Sequence, residues 1–120
     1  MPPYDVRERA FEFACTILRF YQYLLQETKT PRAVADQLLD SGTSIGANLE
    51  EAEAAHSKRD FLVKNSNALK EARETRYWLR LLRACALAPC GRLDPHIQES
   101  QELVAIITAI RKHCGHRADE

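Results

Sequence analysis

Apolar residues recur every three or four positions through four long segments of this chain and nowhere alternate, a period that admits helices and excludes sheet. In the first segment Phe11, Ala14, Leu18, Tyr21 and Leu25 share one helix face, and Ala10, Phe13, Ile17, Phe20 and Leu24 form a second stripe beside it. Two adjacent stripes make an apolar face wider than one small bundle core uses. Either this helix is deeply buried inside the monomer or, the favoured expectation, part of it faces another copy of the chain, with Phe13, Ile17, Phe20 and Leu24 as interface residues.

Thr30-Pro31 then restarts the chain, Thr30 as cap and Pro31 at the first helical position. Val34, Leu38, Ile45, Leu49 and Ala52 mark the buried stripe of the second helix, whose middle reads Ser41-Gly42-Thr43-Ser44-Ile45-Gly46-Ala47-Asn48. Each glycine in a helix costs about 1 kcal/mol relative to alanine, a loss that close approach of another backbone can offset. Gly42 and Gly46, four apart on one side, are therefore read as close-packing positions, with Asn48 beside them as a polar group bonded inside the core. A phosphate loop is rejected: the G-x-x-x-x-G-K-[ST] spacing is missing and no strand precedes the stretch.

Ser57-x-x-Asp60 resembles a capping box and opens a third helix lined by Phe61, Ala68, Ala72, Leu79, Leu82 and Ala86. Ala88-Pro89-Cys90-Gly91 ends it, and Asp94-Pro95 starts a fourth carrying Ile97, Ser100, Leu103, Ile107, Ile110 and Cys114. The spacing predicts helices near 5–27, 31–55, 58–87 and 95–114, in one all-α domain spanning 1–120. Connections this short make it an antiparallel up-down-up-down four-helix bundle.

Charge is neutral overall, 17 basic against 17 acidic residues, so no global field draws nucleic acid to the chain. Its distribution is uneven: His56–Arg92 holds nine basic and three acidic residues, whereas Pro31–Ala55 holds one and five. On the third helix Arg73, Arg76, Arg80 and Arg83 step by three and four, with Lys70 preceding them. Such a stripe suits phosphates, and Tyr77 and Trp78 add stacking surfaces. Pairing of this basic helix with the acidic second one explains the same pattern, as does core placement of the aromatics.

No catalytic or metal constellation emerges. Glu53-x-x-His56 is half of a di-iron pattern, and no second Glu-x-x-His accompanies it. Cys114 adjoins His113, but adjacent helical residues point apart. Glu50, Glu51 and Glu53 read as a solvated helix end. Cys15, Cys85, Cys90 and Cys114 form no C-x-x-C pair, and the opening residues lack an apolar signal region. The expectation is a cytoplasmic, non-enzymatic protein with reduced thiols, no cofactor and no bound metal. No apolar run approaches the roughly 20 residues of a membrane span, so no membrane partner is expected.

Three blocks carry a family resemblance: Ser44-Ile45-Gly46-Ala47-Asn48-Leu49-Glu50-Glu51-Ala52, Ser57-Lys58-x-Asp60-Phe61, and Ala68-Leu69-Lys70-Glu71-Ala72-Arg73-Glu74-Thr75-Arg76-Tyr77-Trp78-Leu79. With them the chain resembles the bacterial 23S rRNA intervening-sequence proteins over nearly its whole length. The resemblance implies short antiparallel bundles assembled as ring-shaped homopentamers, some encoded within insertions of large-subunit ribosomal RNA genes. A related branch, the accessory variability determinants of diversity-generating retroelements, binds a reverse transcriptase and nucleic acid. The doubled apolar stripe of the first helix and the neutral charge favour a homo-oligomeric scaffold or adaptor, with RNA or a reverse transcriptase, met through the Arg73–Arg83 stripe, as the alternative partner. The resemblance supplies no catalytic residues, and this chain departs from the accessory branch in lacking net positive charge.

Overall fold

The computed structural model describes residues 5–119, with side chains described from 5 to 114. Four helices follow in order: α1 (Val6–Glu27), α2 (Arg32–Glu53), α3 (Lys58–Ala84) and α4 (Cys90–Asp119). No strand occurs among the described residues. The short connections at 28–31, 54–57 and 85–89 reverse the chain, giving an up-down-up-down bundle of 51 × 22 × 21 Å.

The helix ends show where local chemistry departs from the expected boundaries. Asp5 caps α1, accepting from the Arg7 backbone N–H at 2.9 Å, and Ser57 caps α3 by accepting from the Asp60 N–H at 3.0 Å. Thr30 does not cap α2; its hydroxyl bonds that of Thr28 at 2.7 Å, and the Val34 and Ala35 N–H groups bond the Pro31 carbonyl. Pro31 is thus the residue before the helix rather than its first. α3 stops at Ala84 rather than 87 because Ala86 adopts φ 53°. The Leu87 N–H then reaches the Leu82 carbonyl at 3.0 Å and the Ala86 N–H that of Arg83 at 3.1 Å, a Schellman end with alanine in the usual glycine position.

α4 begins at Cys90 rather than 95, since the Arg92 and Leu93 N–H groups both bond the Pro89 carbonyl. Pro95 therefore lies inside the helix, where it cannot donate to the carbonyl four residues back. That carbonyl belongs to exposed Gly91, with no atom within 4 Å of where a Cβ would stand, so water can reach it. The earlier start adds fully buried Leu93 to the core. At the other end α4 continues past 114 to Asp119, while Met1–Tyr4 and Glu120 lie outside the described residues.

The core draws on all four helices, including Ile17 and Leu24, Leu38 and Ile45, Leu79 and Leu82, and Leu103 and Ile107. Each such side chain contributes about 1.5–3 kcal/mol by leaving water. Phe13, Ile17, Phe20 and Leu24, expected at an interface between copies, are all buried within this monomer. The two stripes of α1 are reversed: Phe11 and Leu18 stand outward, 61% and 48% exposed. The glycines of α2 supply the reason. A Cβ at Gly42 would stand 2.7 Å from Ile17 Cγ2, and one at Gly46 would stand 3.5 Å from the Ala10 backbone. The Ala10–Ile17 stripe is the one that fits this flat strip, so Phe11 and Leu18 of the other turn outward while its Tyr21 and Leu25 pack against the edge of the core.

Asn48 is likewise not a core residue: half-buried, it donates to the Ser44 carbonyl of its own helix at 2.9 Å. Ser41, Thr43 and Ser44 bond the preceding turn in the same way. Across the α2–α3 contact the buried hydroxyls of Thr75 and Ser41 meet at 3.0 Å. The buried amide is instead Asn65 on α3, 1% exposed, whose Oδ1 has no hydrogen-bond partner. An unsatisfied buried group of this kind costs about 1–3 kcal/mol.

Candidate functional site

Helix α3 turns its basic stripe to solvent because Asn65, Ala68, Ala72, Thr75, Leu79 and Leu82 occupy its buried side. Lys70, Arg73, Arg80 and Arg83 are exposed and Arg76 is half-buried. Arg83 donates to Asp94 at 2.8 Å across the α3–α4 turn, a bond that raises its pKa and occupies it locally. Lys70, Arg73, Arg76 and Arg80 form no ion pair among the described residues. The expected pairing with acidic α2 is thus not made by these four side chains. Tyr77, 57% exposed, stands between Arg73 and Arg80 on the same face, with its ring edge-on to Trp78 at 5.1 Å.

Beside this face Glu71 is only partly solvated, and burial together with the neighbouring Glu74 charge raises its carboxyl pKa. Towards the start of α3 lies a cleft of about 430 Å³ in which Lys58, Arg59 and Arg111 surround apolar Leu62 and Val63, with Ser66 and Asn67 completing the lining. Arg111 comes from α4 and is fixed there by donating to the Ser66 hydroxyl at 2.6 Å. A stripe read along one helix cannot include it; only the fold brings α4 alongside.

The second feature is the seam between α1 and α4, which meet far more sparsely than the other neighbouring helices. Arg9 spans it, bonding Glu99 at 2.7 and 2.8 Å and Glu102 at 3.0 Å. These bonds push the Arg9 pKa up, while Arg9, followed by Gln98, lowers that of Glu102. His96 packs on Phe20 with ring centroids 4.7 Å apart, and Arg92 lies 4.0 Å above the Tyr23 ring. Burial lowers the His96 pKa. Two clefts of about 500 and 240 Å³ flank His96 and Thr16 along this seam. No spacing rule pairs Arg9 with a carboxylate ninety residues away, so the sequence reading missed it.

The remaining candidates do not converge. Glu50, Glu51, Glu53 and His56 are all exposed, as are the free thiols of Cys85 and Cys90. No group of three His, Cys, Asp or Glu residues able to hold a metal occurs among the described residues. No helix among them is long and apolar enough to cross a membrane.

Comparison with known proteins supplies the lineage. The family model described as 23S rRNA-intervening sequence protein matches residues 3–109. Among solved structures, the chain is similar to a protein of unknown function from the S23 ribosomal protein family of Bacteroides thetaiotaomicron VPI-5482. The two share 39% identity over 90% of this chain and 99% of that one, with a TM-score of 0.86. No curated protein matches. A match over most of the sequence and a superimposable bundle agree: the chain belongs to the 23S rRNA-intervening sequence protein family.

Proposed function

We propose that this protein is a non-enzymatic scaffold that works as a homo-oligomer, with the outer face of α1 as its self-association surface. The observation that carries this reading is the exposure of Phe11 and Leu18, two of the four large apolar side chains found exposed among the described residues. They belong to Phe11, Ala14, Leu18, Tyr21 and Leu25, whose alternating steps of three and four are those of a coiled-coil seam. Exposed apolar side chains gathered on one face favour association. The solvated placement of Cys85, Cys90, Glu50, Glu51 and Glu53 supports the absence of catalysis. The family resemblance supports a closed ring, a homopentamer, over an open chain.

Light scattering tests this directly. The wild-type protein should run as an assembly well above 13.7 kDa, and the double substitution Phe11→Glu, Leu18→Glu should return it to a monomer with helicity intact. A wild-type monomer at micromolar concentration would overturn the reading.

A second reading is favoured by one observation, the unpaired cations Lys70, Arg73, Arg76 and Arg80 around exposed Tyr77: this face binds RNA. Filter binding of structured RNA should weaken as salt rises and vanish with Arg76→Glu, Arg80→Glu. Absent or salt-insensitive retention would remove this reading and leave the scaffold standing.

A further inference from the structure

Apolar side chains stand exposed on two separate parts of the bundle, and the charges around them are of opposite sign. On α1, Phe11 is 61% exposed, with Glu8 one turn before it and Glu12 next to it, both of them exposed. The arginines of the same turns are already engaged, Arg7 by Asp5 at 2.9 Å and Arg9 by Glu99 and Glu102. On α3, Val63 is 51% exposed and lies with Leu62 in the cleft bordered by Lys58, Arg59 and Arg111. No carboxylate among the described residues lines that cleft, and Arg111 is fixed in it by its 2.6 Å bond to Ser66. One chain thus carries an acidic apolar ridge and a cationic apolar cleft.

We propose that this cleft seats α1 of a second copy, with Phe11 on Leu62 and Val63, and Glu8 and Glu12 facing Lys58, Arg59 and Arg111. The proposal rests on the reading of α1 as the self-association surface and adds the surface that α1 meets. Two α1 faces set against each other would bring their acidic residues together, whereas the cleft offers the opposite charge beside an apolar floor. A small molecule is the poorer occupant, because half-exposed Val63 leaves the cleft open and such a ligand needs most of its surface covered. A helix laid into a groove needs only its apolar face covered. RNA phosphates would engage the cations and leave Leu62 and Val63 without an apolar partner. Within one copy α1 packs on α2 and α4 and does not touch α3, so ridge and cleft belong to different sides of the bundle. Each copy therefore gives its ridge to one neighbour and its cleft to another. Such a head-to-tail contact builds a ring where the rotation closes.

Mixing two variants decides the matter. The Phe11→Glu, Leu18→Glu chain keeps its cleft, and a Val63→Asp chain keeps its ridge. Each alone should scatter light as a monomer with helicity intact, all three positions being exposed. An equimolar mixture should form pairs of chains and nothing larger, because each pair joins the one intact ridge to the one intact cleft. Arg59→Glu with Arg111→Glu should raise the concentration of half-dissociation at least about tenfold, and adding Glu8→Arg and Glu12→Arg should restore it. Should Val63→Asp fail to fold, this charge exchange still decides. A Val63→Asp chain that assembles like the wild type would overturn the cleft while leaving the α1 surface standing. So would a charge reversal without recovery, or a mixture still monomeric at about 1 mM, a concentration that allows for the missing closure of a ring. A wild-type monomer would remove both readings together.

Discussion

Helix α1 is held on its two flanks by opposite means. Towards α2 the contact is steric: Gly42 leaves only room enough for Ile17, and Gly46 admits the Ala10 backbone. Towards α4 the contact is electrostatic and aromatic, with Arg9 reaching Glu99 and Glu102, His96 on Phe20 and Arg92 over Tyr23. The first flank is close-packed, and the second is bordered by clefts. One helix can thus be fixed in position by shape on one side and left adjustable by charge on the other. The flanks should answer differently to side-chain volume, salt and pH.

The severest test of the steric flank is Gly42→Val. Its Cβ would meet Ile17, β-branched and fully buried, and a loss of about 3 kcal/mol in urea unfolding is expected, unchanged by salt. Gly42→Ala should lose about 1 kcal/mol, because the gain in helix propensity only partly offsets the clash. Gly46→Ala should have the opposite sign. Its Cβ would lie in ordinary contact at 3.5 Å, and stability should rise by up to about 1 kcal/mol. Destabilisation by Gly46→Ala would show that the α1–α2 contact is tighter along its length than at Gly42 alone.

On the electrostatic flank, Arg9→Met should lose about 1 kcal/mol at low ionic strength and less near 1 M salt, where screening shortens to about 3 Å. A salt-independent loss would recast the seam as another packing contact. The smallest effect belongs to His96, whose pKa burial holds below the ordinary 6.5. The unfolded chain then binds more protons just below 6.5 than the folded one does. Its contribution is therefore complete above 6.5 and is lost as pH falls through the folded value. Arg9, Glu12 and Glu99 line one adjoining cleft, and Arg19 and Arg92 the other. His96→Gln should flatten the stability profile on the acid side of about pH 6.5, while leaving the Gly42 effects untouched.

The helices themselves were legible because a three-four apolar period survives any tertiary context. Which stripe of α1 faces inward was not. Both carry large apolar residues, and the tie is broken only where Gly42 and Gly46 meet Ile17 and Ala10, a match that requires the register of α1 on α2. Pro95 misled for a related reason: asparagine-like capping by Asp94 fits a helix start, but fully buried Leu93 and the bonds to the Pro89 carbonyl extend the helix backwards past it. The basic stripe was readable residue by residue, whereas Arg111 reaches the cleft at the start of α3 from another helix. Asn48 drew attention by standing beside glycines, yet it satisfies itself on Ser44; nothing in the spacing of Asn65 announces that its oxygen lies unpaired.

The diagonal placement of α1 and α3, which do not touch across the bundle, carries a consequence for any assembly. In a ring the outer face of α1 meets a different surface of the neighbouring copy; where that surface stops short of Lys70, as the cleft at the start of α3 does, the rest of the outer face of α3 stays uncovered on every subunit and the number of cationic ribs equals the number of copies. A polyanion long enough to reach two ribs would meet the second at a high effective concentration. Weak attraction at one face would then become firm capture by the whole, and a charge-neutral chain would behave towards long nucleic acid as a multivalent cation.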